Sequence, residues 1–291
     1  MRLSMLQAVM LKGVMLQGVM LQPAPLQPAL RSGRRSVRNV LIMLAAVSCL
    51  SLCGSAQTAE ELVNKNIQAK GGIEKIKAIK SLRMTGKINI GSGIIAAEMQ
   101  ENQRPNLVRE TFSLQGMTAV TAYDGATGWQ IQPFGGHKDP ELMGEDDLKD
   151  LLLDADFDGP LVDYKEKGNT VEFLGHDVVD GDDALRLKVT LKDGDIIYYY
   201  LDPDTFLEIR KEVQEFVRGS VRESVYEMGS YKPVAGVMYP FSISQGSKAN
   251  PSAQTTAIEK IEVNVPIDPA DFAVPASLKT PEKSSGMVGI R

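Results

Sequence analysis
The apolar positions of this chain change period partway along it. Behind Thr58 and the early glutamates Glu60 and Glu61, Leu62, Val63 and Ile67 recur at helical spacing, which predicts an amphipathic helix over 58–70. Gly71 and Gly72 end it, as glycine does past a helix C-terminus, and 73–79 predicts a shorter helical turn. From residue 82 the period falls to two. Leu82, Met84, Gly86, Ile88 and Ile90 alternate with Arg83, Thr85, Lys87 and Asn89, the pattern of a half-buried strand. Further strands are predicted over 94–100, 107–114, 117–123 and 127–132, the last two hinged by the hairpin signal Asp124-Gly125. Residues 139–164 break the alternation. Leu142, Leu148, Leu151 and Leu152 fall at helical spacing among acidic residues and predict a helix, with a loop at 154–160. Alternation resumes over 170–174, 177–179 and 185–192, and continues in 195–202, 207–217, 220–230, 237–245 and 255–265.

About eleven strands joined mostly by short turns imply consecutive antiparallel pairing in one sheet, and a sheet that large curls or closes on itself. The expected class is therefore mainly β (α+β): a single large curled antiparallel sheet, or half-open β-barrel, covered by helices.

The first 56 residues follow no such pattern. Residues 4–30 repeat the five-residue unit Met-Leu-Gln-Ala-Val with variations, a period too short for a folded repeat array and typical of low-complexity sequence. A basic segment at 31–38 then precedes an apolar run from Val40 to Leu52 and the small residues Gly54, Ser55 and Ala56. That order is the signature of a secretory signal peptide cleaved before Gln57. The run is shorter than the roughly 20 residues a spanning helix needs. Cys49 and Cys53 each end a segment resembling a lipoprotein cleavage box, so cleavage after Ala56 and lipidation at a cysteine both stay open. The expected organisation is a leader with signal peptide at 1–56, one domain at 57–276 and a disordered tail at 277–291, with export to the periplasm.

Charge and composition narrow the chemistry. The formal net charge of −5 hides an asymmetry: residues 1–56 hold six of the 32 Lys and Arg and none of the 37 Asp and Glu, so the remainder carries −11. An acidic body argues against a nucleic-acid partner. Both cysteines lie in the leader, which leaves the body without a thiolate nucleophile or zinc–thiolate site. His137 and His176 are the only histidines; each sits beside glycine and reads as a solvated turn residue. Asp154, Asp156, Asp158 and Gly159 match the first half of a calcium loop, but Lys165 stands where the bidentate glutamate is required, so they read as an acidic loop. No phosphate loop, nucleophile elbow or dinucleotide fingerprint occurs. The chain thus predicts no enzyme, no cofactor and no metal site.

What remains is the apolar side of the sheet. Met84, Ile88, Met99, Leu187, Val189, Leu191, Ile261 and Val263, with the single tryptophan Trp129, are the candidate lining of a ligand cavity. A curled sheet offers more concave surface than its own side chains fill, and methionine repacks around irregular guests. Plain core packing explains the same residues, and both readings stay open here.

Several segments, in order, resemble the LolA-like superfamily of periplasmic lipoprotein carriers, in the branch of outer-membrane lipoprotein-sorting proteins. They are Ala69-Lys-Gly-Gly-Ile73, Tyr123-Asp-Gly-Ala-Thr-Gly-Trp129, Gly159-Pro-Leu-Val-Asp-Tyr164 and Gly181-Asp-Asp-Ala-Leu-Arg186. Tyr199-Tyr-Leu-Asp-Pro203, Tyr231-Lys-Pro-Val-Ala-Gly-Val237, Pro240-Phe-Ser-Ile243 and Ile267-Asp-Pro-Ala-Asp-Phe272 follow. The resemblance implies a half-open barrel lidded by helices, with neither enzyme activity nor metal. It also implies that a buried arginine in an early strand locks the lid. Arg83, Arg104 and Arg109 are all early, none falls in a matching motif, and no arginine takes that role from sequence.

The expected function is a periplasmic carrier, acting as a monomer, that binds acyl chains of lipids or lipoproteins for transfer toward the outer membrane, with envelope membrane proteins as partners. The alternative is a non-catalytic envelope sensor or interaction module on the same fold.

Overall fold
The computed structural model describes residues 57–278. The leader with Cys49 and Cys53, and residues 279–291 of the predicted tail, lie outside the described residues.

The first helix, α1 (Ala59–Ala69), begins with a reciprocal cap: the Glu61 N–H donates to Thr58 Oγ1 and the Thr58 N–H donates to a Glu61 carboxylate oxygen. Its end depends on Gly71, whose φ of +120° excludes most side chains; a Cβ there would lie 2.2 Å from the carbonyl oxygen of Gly236. A short helix α2 (Ile73–Ala78) follows.

Six strands then run as a meander: β1 (Ser81–Asn89), β2 (Ile95–Gln103), β3 (Leu107–Leu114), β4 (Met117–Tyr123), β5 (Gly128–Gln132) and β6 (His137–Leu142). Helix α3 (Glu145–Ala155) interrupts them. A second series follows: β7 (Thr170–Val179), β8 (Asp182–Thr190), β9 (Ile196–Leu201), β10 (Glu208–Val217) and β11 (Ser220–Gly229). The small ribbon β12 (Lys232–Val234) and β13 (Val237–Tyr239) stands apart, before β14 (Ser242–Ser247) and β15 (Asn250–Val263).

All but β12 and β13 join one antiparallel sheet of 13 strands in the order β6-β5-β4-β3-β2-β1-β15-β14-β11-β10-β9-β8-β7. The last strand thus returns to pair with the first, and fuses the two meanders. The sheet does not close: β6 and β7 are its free edges. This is the open, curled half-barrel expected from the alternation, and the sequence between those two edges is α3 and its flanking loops.

Local differences have local causes. The helix predicted within 139–164 starts only at Glu145, because Trp129 and Gln130 pair with Leu142 and Glu141 and draw 137–142 into the edge strand β6. The two strands expected at 170–174 and 177–179 are one strand, with a bulge between Phe173 and Gly175 that interrupts the alternation.

Paired residues of adjacent strands share a face, so the register separates the two sides of the sheet. On the concave side of β7–β10, Leu185, Leu187, Val189, Ile197 and Leu201 are almost fully buried beneath α1, which contributes Leu62 and Val63. On the side of β3 and β4, α3 packs Leu151 and Ala155 against Val108 and Tyr123. The helices therefore cover the two flanks of the concave face and leave its centre to the chain between them.

Candidate functional site
The central strands β1, β15, β14 and β11 enclose, with the loop after α3, a cavity of about 480 Å³. Its floor carries an apolar strip: Met84 and Ile88 on β1, Ile258 on β15, Ile243 on β14 and Met228 on β11. Met228 pairs with Ile243, Ile243 with Thr256 and Thr256 with Ile88, so the strip crosses four strands on one face. At its middle Gly86 sits beside a bulge in the β1–β15 pairing; a Cβ there would lie 2.6 Å from the Ala257 carbonyl oxygen.

The remaining walls are polar. On one side Tyr199, Lys211, Tyr226, Gln245 and Gln254 form a continuous row of register partners across β9, β10, β11, β14 and β15. Lys211 Nζ lies 4.4 Å from the Tyr226 ring centroid, and the amide of Gln245 donates to the Tyr226 hydroxyl at 3.2 Å. On the other side stand Glu98 of β2, Glu110 of β3 and Asp154 of α3. The Thr256 hydroxyl donates to Glu98 at 3.0 Å and that of Thr121 to Glu110 at 3.4 Å. Burial pushes Glu110 well above the usual carboxylate range, and the nearby Asp154 and Glu98 add to the effect. Asp154 borders the cavity and is exposed as a residue; the protein packed around its carboxyl raises it, with Lys211 acting in the opposite direction. Glu98 is raised by burial too, against the Thr256 hydrogen bond.

A second cavity of about 610 Å³ lies past α3, with Tyr123, Leu152 and Leu191 in its wall. Both cavities touch Leu153, Asp156 and Pro160, so the C-terminal turn of α3 and the following loop form the partition between them.

Arg104, just past β2, holds that loop. Its guanidinium grips the Asp158 carboxylate with two bonds, at 2.9 and 2.5 Å, and also donates to the carbonyl oxygens of Ile79 at 2.7 Å and Ile76 at 3.1 Å. It lies 4.7 Å over the Phe157 ring. One side chain thus ties the α2 end to the α3–β7 loop. The other two early arginines are elsewhere: Arg83 and Arg109 both reach the buried Glu101, at 2.7 and 3.4 Å. Glu101 pairs with Arg83 between the concave-face pairs Met84–Gln100 and Leu82–Asn102, and so lies on the opposite, convex face. The acidic loop holds internal ion pairs rather than a calcium-loop geometry. Lys167 binds Asp156 at 2.5 and 2.7 Å and the Gly159 carbonyl oxygen at 2.8 Å, while Asp158 belongs to Arg104. His137 and His176 are exposed and contact Glu141 and Asp183.

The candidate lining named from sequence divides into four groups. Met84 and Ile88 line the central cavity and Leu191 the second. Leu187 and Val189 share the concave face, but α1 seals them completely. Ile261 and Val263 pair with Met84 and Leu82; Ile261 is buried and Val263 packs on the cluster of Ile76, Ile79 and Val237. Met99 and Trp129 require a correction, since both face the convex side. Met99 pairs with Thr85, one position out of step with the cavity residues. Trp129 pairs with Ala122, packs under Val274 and Leu278, and donates its ring N–H to the Phe272 carbonyl oxygen at 2.9 Å. The C-terminal segment, not a ligand, covers it. The polar walls were not legible as a site. Glu98, Gln100 and Glu110 occupy strand positions where polar residues normally meet solvent, and only the register turns them inward.

No family model and no curated protein sequence matches the chain. Its likeness lies in solved structures. It is similar to a DUF1329 family protein from Desulfovibrio piger, at 11% identity and a TM-score of 0.52, covering 75% of this chain and 98% of that one. A LolA superfamily protein from Nitrosomonas europaea overlays at 11% identity and a TM-score of 0.49, covering 75% and 99%. At such identities the likeness is one of fold alone.

Proposed function
We propose that the protein is a periplasmic carrier, not an enzyme, that holds an acyl chain of a lipid or lipoprotein between the curled sheet and its helical cover, for transfer toward the outer membrane. The observation behind this reading is the uncovered centre of the concave face, with its apolar strip from Met84 and Ile88 to Met228. The two cavities, of about 480 and 610 Å³, fall within the range of small-molecule sites. Each buried methylene contributes about 0.8 kcal/mol, so a long chain gains on the order of 10 kcal/mol before association costs are subtracted. A partition held by a few side chains, Arg104 on Asp158 and Lys167 on Asp156, is suited to release, since its disruption would join the two cavities.

The test is titration of the delipidated mature protein with dodecanol, followed by native mass spectrometry and fluorescence displacement. The expected result is one ligand bound per chain, lost when Ile88→Trp fills the strip while circular dichroism stays unchanged. No uptake by the wild-type chain, or undiminished uptake by the filled variant, overturns the proposal.

A further inference from the structure
Among the described residues ten large apolar side chains are exposed, and six of them, 39–62% exposed, sit on hairpin turns at one end of the sheet. Neighbouring strands run in opposite directions, so alternate connections emerge at the same end. The pairing order sends the β1–β2, β3–β4, β5–β6 and β10–β11 turns to a single end. There Ile94 and Ile95 cap β1–β2, Met117 caps β3–β4 and Phe134 caps β5–β6, while Phe216 and Val221 face each other as a pair beside the β10–β11 turn. The first three turns are neighbours along the rim. They end within a few residues of a common level, since Asn89 pairs with Ile95, Leu114 with Met117 and Gln132 with His137. Phe134 also touches Phe112 edge-on, with ring centroids 5.5 Å apart, which links two of the turns. Apolar residues scattered singly over a surface need no explanation, but a set gathered at one end does.

Charge is sorted along the same axis. Residues 90–95, 114–117 and 133–136 contain no charged side chain. The six turns at this end together hold Lys192, Arg218 and Lys248 against Asp193 and Asp195, and Asp195 is buried against Lys149. The sheet turns at the opposite end, 104–106, 124–127, 180–181 and 202–207, hold Asp124, Asp180, Asp202 and Asp204 against Arg104 alone, and Arg104 is engaged by Asp158. In a body of net charge −11, the apolar end is thus also the end least repelled by an anionic surface.

We propose that this end is a membrane-contact surface, at which Ile94, Ile95, Met117 and Phe134 enter the interfacial layer of a lipid bilayer while the acidic end is held away from it. A bilayer fits better than a protein partner. Three separate turns built largely of glycine present apolar points, not the continuous patch with a polar rim that a protein interface offers. A fluid apolar phase closes around points, and it penalises charge, which these turns lack. The placement also suits the cavity. Its apolar floor reaches Ile88, two residues before the β1–β2 turn begins at Ile90. The inference goes beyond the carrier reading and does not depend on it, because it rests on the rim and not on the cavity.

Every contact described above lies within residues 57–278, so the experiment uses the chain from Gln57 onward, which has no leader to act as an anchor and no cysteine. Single cysteines are introduced by Ile94→Cys and Phe134→Cys at the apolar end and by Asp204→Cys at the acidic end, and each carries an environment-sensitive fluorophore. The probe is a vesicle of phosphatidylethanolamine with a minority of phosphatidylglycerol. The labels at 94 and 134 are expected to shift to the blue on adding vesicles, and the label at 204 to stay unchanged. Cosedimentation of the unlabelled chain should persist in molar salt, since the contact is apolar and salt screens the repulsion of the acidic body. The triple variant Ile94→Ser, Ile95→Ser, Phe134→Ser should bind vesicles at least about tenfold more weakly. Its circular dichroism and its dodecanol uptake should be those of the parent chain. No vesicle binding by the parent, equal shifts at both ends, or undiminished binding by the triple variant overturns the inference. A self-associated species abolished in the triple variant, without vesicle binding, overturns it in favour of contact between copies of the chain. Loss of dodecanol uptake with vesicle binding retained would sink the carrier reading alone.

Discussion
Glu110 shows how one residue can be costly to the fold. Its carboxyl is enclosed on the concave face, and burial raises its pKa well above 4.5. For a carboxyl raised by folding, the ionised form is the one the fold penalises. The cost is absent below the unfolded value of 4.5 and fully present once the pH exceeds the raised folded value. Glu110→Gln should therefore stabilise the ligand-free protein at pH 8 by on the order of 1 kcal/mol, with the gain fading as the pH falls toward 4.5. Urea unfolding at a series of pH values measures this; a gain that grows on acidification would contradict the assignment. Arg104 is the opposite case, since every group it meets is matched to it. Arg104→Ala leaves Asp158 and two carbonyl oxygens without their donor, and should cost about 3 kcal/mol. Hydrogen exchange should rise first in the loop after α3, ahead of the sheet. Sequence placed Arg104 among three early arginines but could not separate them, because all three sit in comparable local patterns and only the fold shows which carbonyls and carboxylate lie within reach.

At the level of elements, the two long helices differ in how they are held. Helix α1 is anchored by burial: Leu62 is fully buried against β7–β10, and Asn66 donates to the Phe206 carbonyl oxygen at 2.9 Å. Leu62→Ala should destabilise by about 2–5 kcal/mol, from the lost transfer free energy and the void left behind, read from the denaturation midpoint. Helix α3 is held on one side by Leu151 and Ala155 and on the other by ion pairs: Lys149 with Asp195, Arg218 with Asp147 and Arg222 with Asp150. The Lys149–Asp195 pair is largely buried, but the Arg218 and Arg222 pairs are exposed, and such pairs contribute little singly and are screened by salt. Molar salt should accordingly loosen α3 before α1, which site-resolved hydrogen exchange would detect. In the sheet, Gly86→Ala should cost about 1–3 kcal/mol, because the bulge brings the Ala257 carbonyl oxygen within 2.6 Å of the added carbon. Both long helices were legible from apolar spacing and glycine stops. The edge strand β6 was not, since its only support is pairing with β5.

At the level of the whole molecule, the topology explains why a cavity forms at its position. The free edges β6 and β7 are consecutive in the chain, so the segment joining them must cross the opening of the half-barrel. That segment carries α3 and the Arg104-held loop, and its length is spent spanning the gap rather than filling the centre. Enlarging the floor side chains should close the remaining space without unfolding the protein: Met228→Trp is expected to abolish acyl-chain uptake while the thermal midpoint stays within a few degrees of wild type. Retained uptake would place the ligand elsewhere.

The order of apolar and polar residues by itself determined that the chain is β-rich, antiparallel, curled and capped by helices, because period and turn chemistry are local properties carried by neighbouring residues. It could not determine which face of a strand looks inward at the centre of the sheet. There the alternation of β2 and β3 places Glu98, Gln100 and Glu110 on the concave side and Met99 on the convex one, a matter of register with strands far away in the chain. Nor could it show that α1 fills one flank, or that residues 272–278 cover Trp129. Burial is a property of whatever packs against a residue. For this protein those neighbours are long-range, so the character of the cavity became visible only once the chain was folded.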